Sequence, residues 1–275
     1  METLRLSDSQ IADFQNTVLK KGEELYREMP WRTDTRPYYV LLSEIMLQQT
    51  QVPRVLQKFT QFVEEFPALE SLATADFQQV LALWSGLGYN RRAKFLHQAA
   101  KYIVDKGAFP TEASELVKCP GIGENTAASI VVYAYNKPLV FLETNVRTVL
   151  IYSFFQNRTE KIDERILKDV AQRVLYTENP RKWYWALMDY GTELKKTVGN
   201  FNKFSQKHTT QSRFEGSFRQ KRAATLRMLL HNGPLALDEL AEQQNYSHEL
   251  IQEIVASLQH DALITEINGR FCIVS

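Results

Sequence analysis

Two short stretches of this chain combine residue types that can do chemistry together. Pro120-Gly121-Ile122-Gly123 is followed by Glu124-Asn125-Thr126-Ala127-Ala128, and further on comes Leu142-Glu143-Thr144-Asn145-Val146-Arg147. The first reads as two short helices, Glu112 to Cys119 and Glu124 to Tyr135, joined by a reversal at which Gly121 and Gly123 supply the φ freedom. Free backbone N–H groups at the second helix's start, with Thr126 in its first turn, bind a phosphate without reading a base sequence. An ordinary helix–helix corner has the same turn. The second stretch places a carboxylate at the opening of an apolar helix, so an acid is delivered beside the clamp.

A further carboxylate, Glu44, lies among Leu41, Leu42, Ile45 and Met46. Such surroundings raise a carboxyl pKa. Gln48, four residues on, shares its helical face. An exposed helix glutamate is the plainer reading of Glu44, and an i,i+4 ion pair with Arg147 is the plainer reading of Glu143.

The elements that must carry these groups are almost all helical before residue 200. Ser7 caps a helix predicted to reach Glu28, and Pro30-Trp31-Arg32 ends it. Further helices are predicted over Pro37–Thr50, Val52–Phe66, Asp76–Leu83, Arg91–Lys106, Asn145–Phe155, Asp163–Val174 and Pro180–Leu194. From Lys195 to Arg222 there are eight Lys or Arg against one acid, with Phe201, Phe204, Phe214 and Phe218 interleaved. That stretch suits a phosphate backbone or a solvated linker equally well. Beyond it, helices over Phe218–His231, Leu237–Gln243 and Ser247–His260 precede two short strands joined by Asn268-Gly269, a type I′ hairpin signal. Three helices and a hairpin form a winged-helix pattern. The recognition helix of its second helix pair carries acids and no Lys or Arg over Ser247–Glu253, which favours packing or protein contact over DNA reading.

Composition sets outer limits. A chain of 275 residues that is 44% hydrophobic can form one or two cores, and a net charge of +1 excludes a strongly basic or acidic class. Cys119 and Cys272 are the only cysteines, which excludes a disulfide framework and a cysteine metal site. No signal peptide and no run of membrane length are visible, so an intracellular, cytoplasmic protein is expected.

The run Leu42-Ser43-Glu44-Ile45-Met46-Leu47-Gln48-Gln49-Thr50-Gln51-Val52, with Pro30-Trp31-Arg32 before it and Leu83-Trp84-Ser85-Gly86-Leu87-Gly88-Tyr89 after it, resembles the adenine DNA glycosylase (MutY) family of helix-hairpin-helix glycosylases, with endonuclease III as a relative. The resemblance covers roughly residues 10 to 195. It implies a mainly α fold of two helical subdomains over 1–200 (35–137, and 1–34 with 138–200); the residue pattern beyond it adds a basic linker at 201–216 and a small winged-helix-like α+β domain over 217–275.

The same resemblance implies Glu44 as general acid and Asn145 as the residue orienting acids and substrate. Glu143 falls where the family carries an Asp that stabilises the sugar cation, and Arg32 matches a pocket Arg. Asn125 stands where bifunctional relatives place a Schiff-base Lys, so a monofunctional enzyme without lyase activity is expected. Gln48 and Tyr89 match intercalating residues. Gln49, Thr50, Leu87, Arg91, Gly121, Gly123 and Thr126 complete the expected DNA surface, and Arg92 and Lys94 follow as further phosphate ligands. Lys195 occupies the position of the family's first cluster cysteine, so a 4Fe–4S cluster is expected to be absent, as is the family's C-terminal 8-oxoguanine-sensing domain. The expected partner is duplex DNA with a mispaired or damaged base, bound by a monomer with no membrane contact. The expected substrate is adenine opposite 8-oxoguanine or G. The alternatives are T or U opposite G, and a non-catalytic damaged-DNA-binding protein.

Overall fold

Fifteen α-helices and one β-hairpin account for nearly all regular structure in the computed structural model, which describes residues 4–156, 160–210 and 213–274. In chain order the helices are α1 Asp8–Glu24, α2 Pro30–Thr33, α3 Pro37–Leu47, α4 Val52–Glu65, α5 Leu69–Thr74, α6 Phe77–Trp84, α7 Arg91–Asp105 and α8 Ala113–Leu116. They continue with α9 Glu124–Tyr135, α10 Thr144–Phe154, α11 Glu164–Val174, α12 Pro180–Thr197, α13 Phe218–Asn232, α14 Leu237–Gln244 and α15 His248–His260. The strands are β1 Ile264–Ile267 and β2 Arg270–Ile273.

Contacts group the chain into two units: residues 1–44, 110–118 and 123–210 in one, and 45–109, 119–122 and 211–275 in the other. The last helices and the hairpin group with residues 45–109, and the stretch from 201 to 210 belongs to the first unit.

In the first unit, α1 starts at a capping box: Ser7 accepts from the Gln10 backbone N–H, and the Gln10 side chain returns to Ser7 N. The helix stops at Glu24, four residues short of the expected end, and Pro30 opens a helix of its own at α2. Helix α9 is buried around most of its circumference. Phe141 stacks on Tyr184 at 3.9 Å, and Phe14 meets Trp183 edge-on at 5.8 Å, joining α12 to α1 and to the segment before α10. Gly191 lets α12 approach α10: a Cβ there would lie 2.6 Å from the Asn145 carbonyl oxygen. The expected linker begins with a 3₁₀ turn, Phe201–Phe204, packed on α10; Phe201 meets Tyr152 at 5.3 Å. Aromatic area thus closes this end of the unit.

In the second unit, Phe62 and Trp84 form an edge-on pair at 5.9 Å within the core of α4–α7. Gly121 sits at φ +73, and a Cβ would meet Phe95 at 2.4 Å, so only glycine fits this turn. The C-terminal segment has the predicted winged-helix elements. Asn268 and Gly269 both have positive φ, 53° and 74°, as a type I′ turn requires, and β1 pairs with β2 from Ile264↔Ile273 to Ile267↔Arg270. Leu235 bridges to Phe271 beside the hairpin. The segment packs on α7: Lys94 donates to the Ala262 carbonyl at 2.9 Å, and Asp261 binds Arg222 at 2.6 Å and Arg91 at 3.8 Å. No helix among the described residues is long and apolar enough to cross a membrane.

Candidate active site

Two carboxylates, an amide and a lysine come together in the first unit. Glu44 lies on α3. Its Oε2 is 2.5 Å from Ser129 Oγ on α9. Burial, then the neighbouring charge of Glu143, push its pKa up to about 8 against the opposing hydrogen bond of Ser129. Part of the residue still reaches solvent, so the acid is enclosed without being sealed.

Glu143 is the N-cap of α10, yet its side chain makes no capping bond. The carboxylate is therefore left for other work, beside the positive end of the helix. Burial raises it, while Arg147 and Lys195 pull it down. Part of Glu143 reaches solvent, and Arg147 and Lys195 act on it but not on Glu44. The expected i,i+4 ion pair with Arg147 does not form. Arg147 is bound to Glu164 through Nη2 at 2.6 Å and Nε at 3.1 Å. Tyr133, one turn beyond Ser129, is held well above the usual phenol range by burial and by the two carboxylates.

Asn145 is fixed from three sides. Its Nδ2 donates to the Met188 carbonyl at 3.1 Å and to Thr192 Oγ1 at 3.2 Å, and its Oδ1 accepts from Lys195 Nζ at 2.5 Å. The sequence reads Lys195 as the start of a basic stretch and as a missing cysteine; the structure places it in the site, on Asn145. Asn125 bonds the Leu142 backbone in both directions, Nδ2 to the carbonyl at 2.7 Å and Oδ1 from the N–H at 3.4 Å. It thereby sets the residue that precedes Glu143.

Arg32 is buried and committed to Asp189 through Nη1 at 2.6 Å and Nη2 at 3.1 Å, beneath Tyr26 and Trp185. Asp189, 2% exposed, also accepts from Arg27 Nε at 2.6 Å. Replacing Asp189 with Asn leaves a buried guanidinium without its anion. The expected cost is about 3 kcal/mol, read as a lowered midpoint in chemical denaturation.

The second unit holds the residues expected on DNA. Tyr89 has φ +48 and is 39% exposed, and its hydroxyl accepts from Arg219 Nη1 at 2.8 Å. Gln49 is exposed with φ +56. Leu87, expected beside Tyr89, is core instead: 2% exposed, with its carbonyl accepting from Thr50 Oγ1 at 3.2 Å. Arg92 also departs from the expected surface role. It is buried and donates to the carbonyls of Ile45, Met46, Gln48, Leu87 and Gly88 at 2.5 to 3.2 Å, and to Thr50 Oγ1 at 3.0 Å. One guanidinium thus ties the turn carrying Gln48 and Gln49 to the turn carrying Tyr89. Arg91 stays largely exposed over Phe95. Gly123 is the extended N-cap of α9, and Thr126 sits in its first turn. No group of three or more His, Cys, Asp or Glu among the described residues could hold a metal ion.

This fold and this arrangement define a class. Residues 42–173 match the family described as HhH-GPD superfamily base excision DNA repair protein. Within it the sequence is similar to adenine DNA glycosylases. It is 35% identical to that of Buchnera aphidicola subsp. Baizongia pistaciae (strain Bp) over 65% of this chain and 52% of the relative. The chain spans about half the length of the first such relatives. Two solved structures share the fold. One is a thermostable thymine-DNA glycosylase (TM-score 0.59, 21% identity, 67% of this chain and 87% of that one). The other is a non-covalent endonuclease III–DNA complex (TM-score 0.58, 17% identity, 70% and 90%).

Proposed function

We propose that the protein is a monofunctional DNA glycosylase that hydrolyses the N-glycosidic bond of a base extruded from duplex DNA, with adenine opposite 8-oxoguanine or G as its substrate. The observation that carries this reading is the division of labour between Glu44 and Glu143. One enclosed carboxyl, against the Ser129 hydroxyl, has its pKa raised by burial, and a second stands at the opening of α10 under the influence of Arg147 and Lys195. Leaving-group departure from a nucleoside needs both, an acid for the base and an anion for the oxocarbenium-like sugar. In this scheme Glu44 gives its proton to the base as the C1′–N bond breaks. Glu143 stabilises the cation and takes a proton from the water that adds to C1′. Asn145 fixes Lys195, whose charge acts on Glu143. Tyr89 and the turn at Gln48 fill the space the base leaves.

The enzyme is inferred to work without a 4Fe–4S cluster. Four cysteine thiolates hold such a cluster, and the chain has two cysteines in all, with Lys195 bonded to Asn145 at the position of the first. No step of the scheme uses one. Position 125 offers no amine for a Schiff base, and Lys195, whose pKa burial lowers against the opposing charge of Glu143, is bonded to Asn145. Hydrolysis without strand cleavage follows.

The test is single-turnover base release from duplexes with 8-oxoguanine·A, G·A, G·T and G·U, with alkali revealing the abasic site. Release of adenine opposite 8-oxoguanine or G is the expected result. Release of T or U alone would mean a retargeted pocket, and binding without release a non-catalytic protein. A borohydride-trapped adduct that disappears in Lys195→Ala would overturn the monofunctional assignment. Glu143 gives a second check. Glu143→Gln is expected to lower the rate about a hundredfold, while Glu143→Asp, which keeps the charge, retains activity. Equal, small effects of both would remove Glu143 from the chemistry.

A further inference from the structure

Ser129 stands out on α9. It is the one hydroxyl in the Ala-, Ile- and Val-rich stretch Ala127–Val132, it is 0% exposed, and nothing in the sequence pattern marks it. Its Oγ lies 2.5 Å from Glu44 Oε2 and 3.0 Å from the carbonyl oxygen of Thr126. A serine has one hydrogen and two acceptor sites, so it cannot donate to both oxygens at once. With Glu44 protonated on Oε2, the acid donates to Ser129 Oγ and Ser129 donates to the Thr126 carbonyl, and every hydrogen has a partner. With Glu44 ionised, the hydroxyl turns to donate to the carboxylate. The Thr126 carbonyl then keeps only its place in the helix ladder.

We propose, building on the glycosylase reading, that Ser129 is a positioning residue whose hydroxyl reverses its hydrogen bond as Glu44 gives up its proton, stabilising the carboxylate left behind. The charged and titratable neighbours do not supply that stabilisation. From α10, Glu143 repels a second negative charge. From α9, Tyr133 has its own titration driven upward by the two carboxylates. Arg32 also acts on Tyr133 but is bound to Asp189. Arg147 and Lys195 act on Glu143. Ser129 is therefore the donor that Glu44 is shown to have. A hydrogen bond to a charged group is among the stronger ones, and losing it from a buried carboxylate is the costly direction.

The experiment compares the native protein with Ser129→Ala and Ser129→Cys, in which a weak S–H donor replaces the hydroxyl. Single-turnover excision across the pH range should show the high-pH limb moving up by about one pH unit in the Ala variant and less in the Cys variant. The plateau should fall about tenfold, since the acid then loses its proton less readily. A lowered plateau with an unmoved limb would mean a packing role and overturn the proposal, as would an unchanged profile. A second readout needs no activity: the carboxyl ¹³C titration of Glu44, assigned by its loss in Glu44→Gln. An upward midpoint in Ser129→Ala supports the hydrogen-bond reversal even if no duplex is processed, in which case the glycosylase reading alone fails. An unmoved midpoint overturns the role of Ser129 whatever the enzyme excises.

Discussion

Glu44→Gln is expected to lower base excision by at least about a hundredfold, and toward about ten-thousandfold where protonation limits the rate, with duplex binding retained. The amide has the carboxyl's shape and still offers an oxygen to Ser129, so packing around α3 and α9 is preserved. What disappears is the proton that Glu44 holds with a pKa of about 8. The same substitution has an effect on stability whose sign follows from linkage. A carboxyl raised above its ordinary value of 4.5 contributes stability that is fully present below that value and is lost as pH rises through about 8. The native protein should therefore lose thermal stability relative to Glu44→Gln between these limits, and the variant should be the more stable above pH 8. Parallel melting curves for the two proteins would show that the enclosed acid is not Glu44, and undiminished excision would remove it from the chemistry.

Arg92→Met is expected to give the largest loss from the second unit, about 3 kcal/mol or more. The substitution keeps an apolar stem and takes the guanidinium from five carbonyls and one hydroxyl; the Leu87 and Gly88 carbonyls keep Thr50 Oγ1 and Trp84 Nε1 as donors, while those of Ile45 and Met46 lose the guanidinium. Buried acceptors left without partners cost roughly 1–3 kcal/mol each, and some will recover water. For a chain of this size the melting temperature should fall by about 6–12 °C. Burial already lowers the pKa of this guanidinium to about 10, which shows how little water it meets. Excision should fall further than stability alone explains, because the turns carrying Gln48 and Tyr89 lose their common tie. Arg92→Lys should recover little of either, since one ammonium cannot serve carbonyls on two turns. A variant that melts and excises like the native protein would mean that the turns hold their shape without the guanidinium.

Much of this molecule was readable from residue order, because some positions constrain themselves. Gly121 is required by a turn at positive φ that would press any Cβ into Phe95. Asn268-Gly269 specifies its turn through two positive φ angles. The apolar neighbours of Glu44 are adjacent in sequence, so its enclosed setting and raised pKa could be expected before any fold was known. The helix opening at Glu143 was likewise local.

Long side chains were not readable in this way. Helical spacing shows which face a residue lies on but not which neighbour from a distant segment meets it. Arg147 could reach Glu143 by the i,i+4 rule, yet Glu164 offers it two oxygens and takes it. Arg92 sits in a basic run that suggests a surface, but the two turns folding over it supply carbonyls that only a buried fork of donors can satisfy. Ser129 and Lys195 gained their partners because α9 passes Glu44 and because Gly191 lets α12 lie against α10. The sequence by itself thus determined the acids, the turn geometries and the helices that carry them. Tertiary packing decided which acid is enclosed against Ser129 and which stands near Arg147 and Lys195, because that depends on burial and on groups brought from far along the chain.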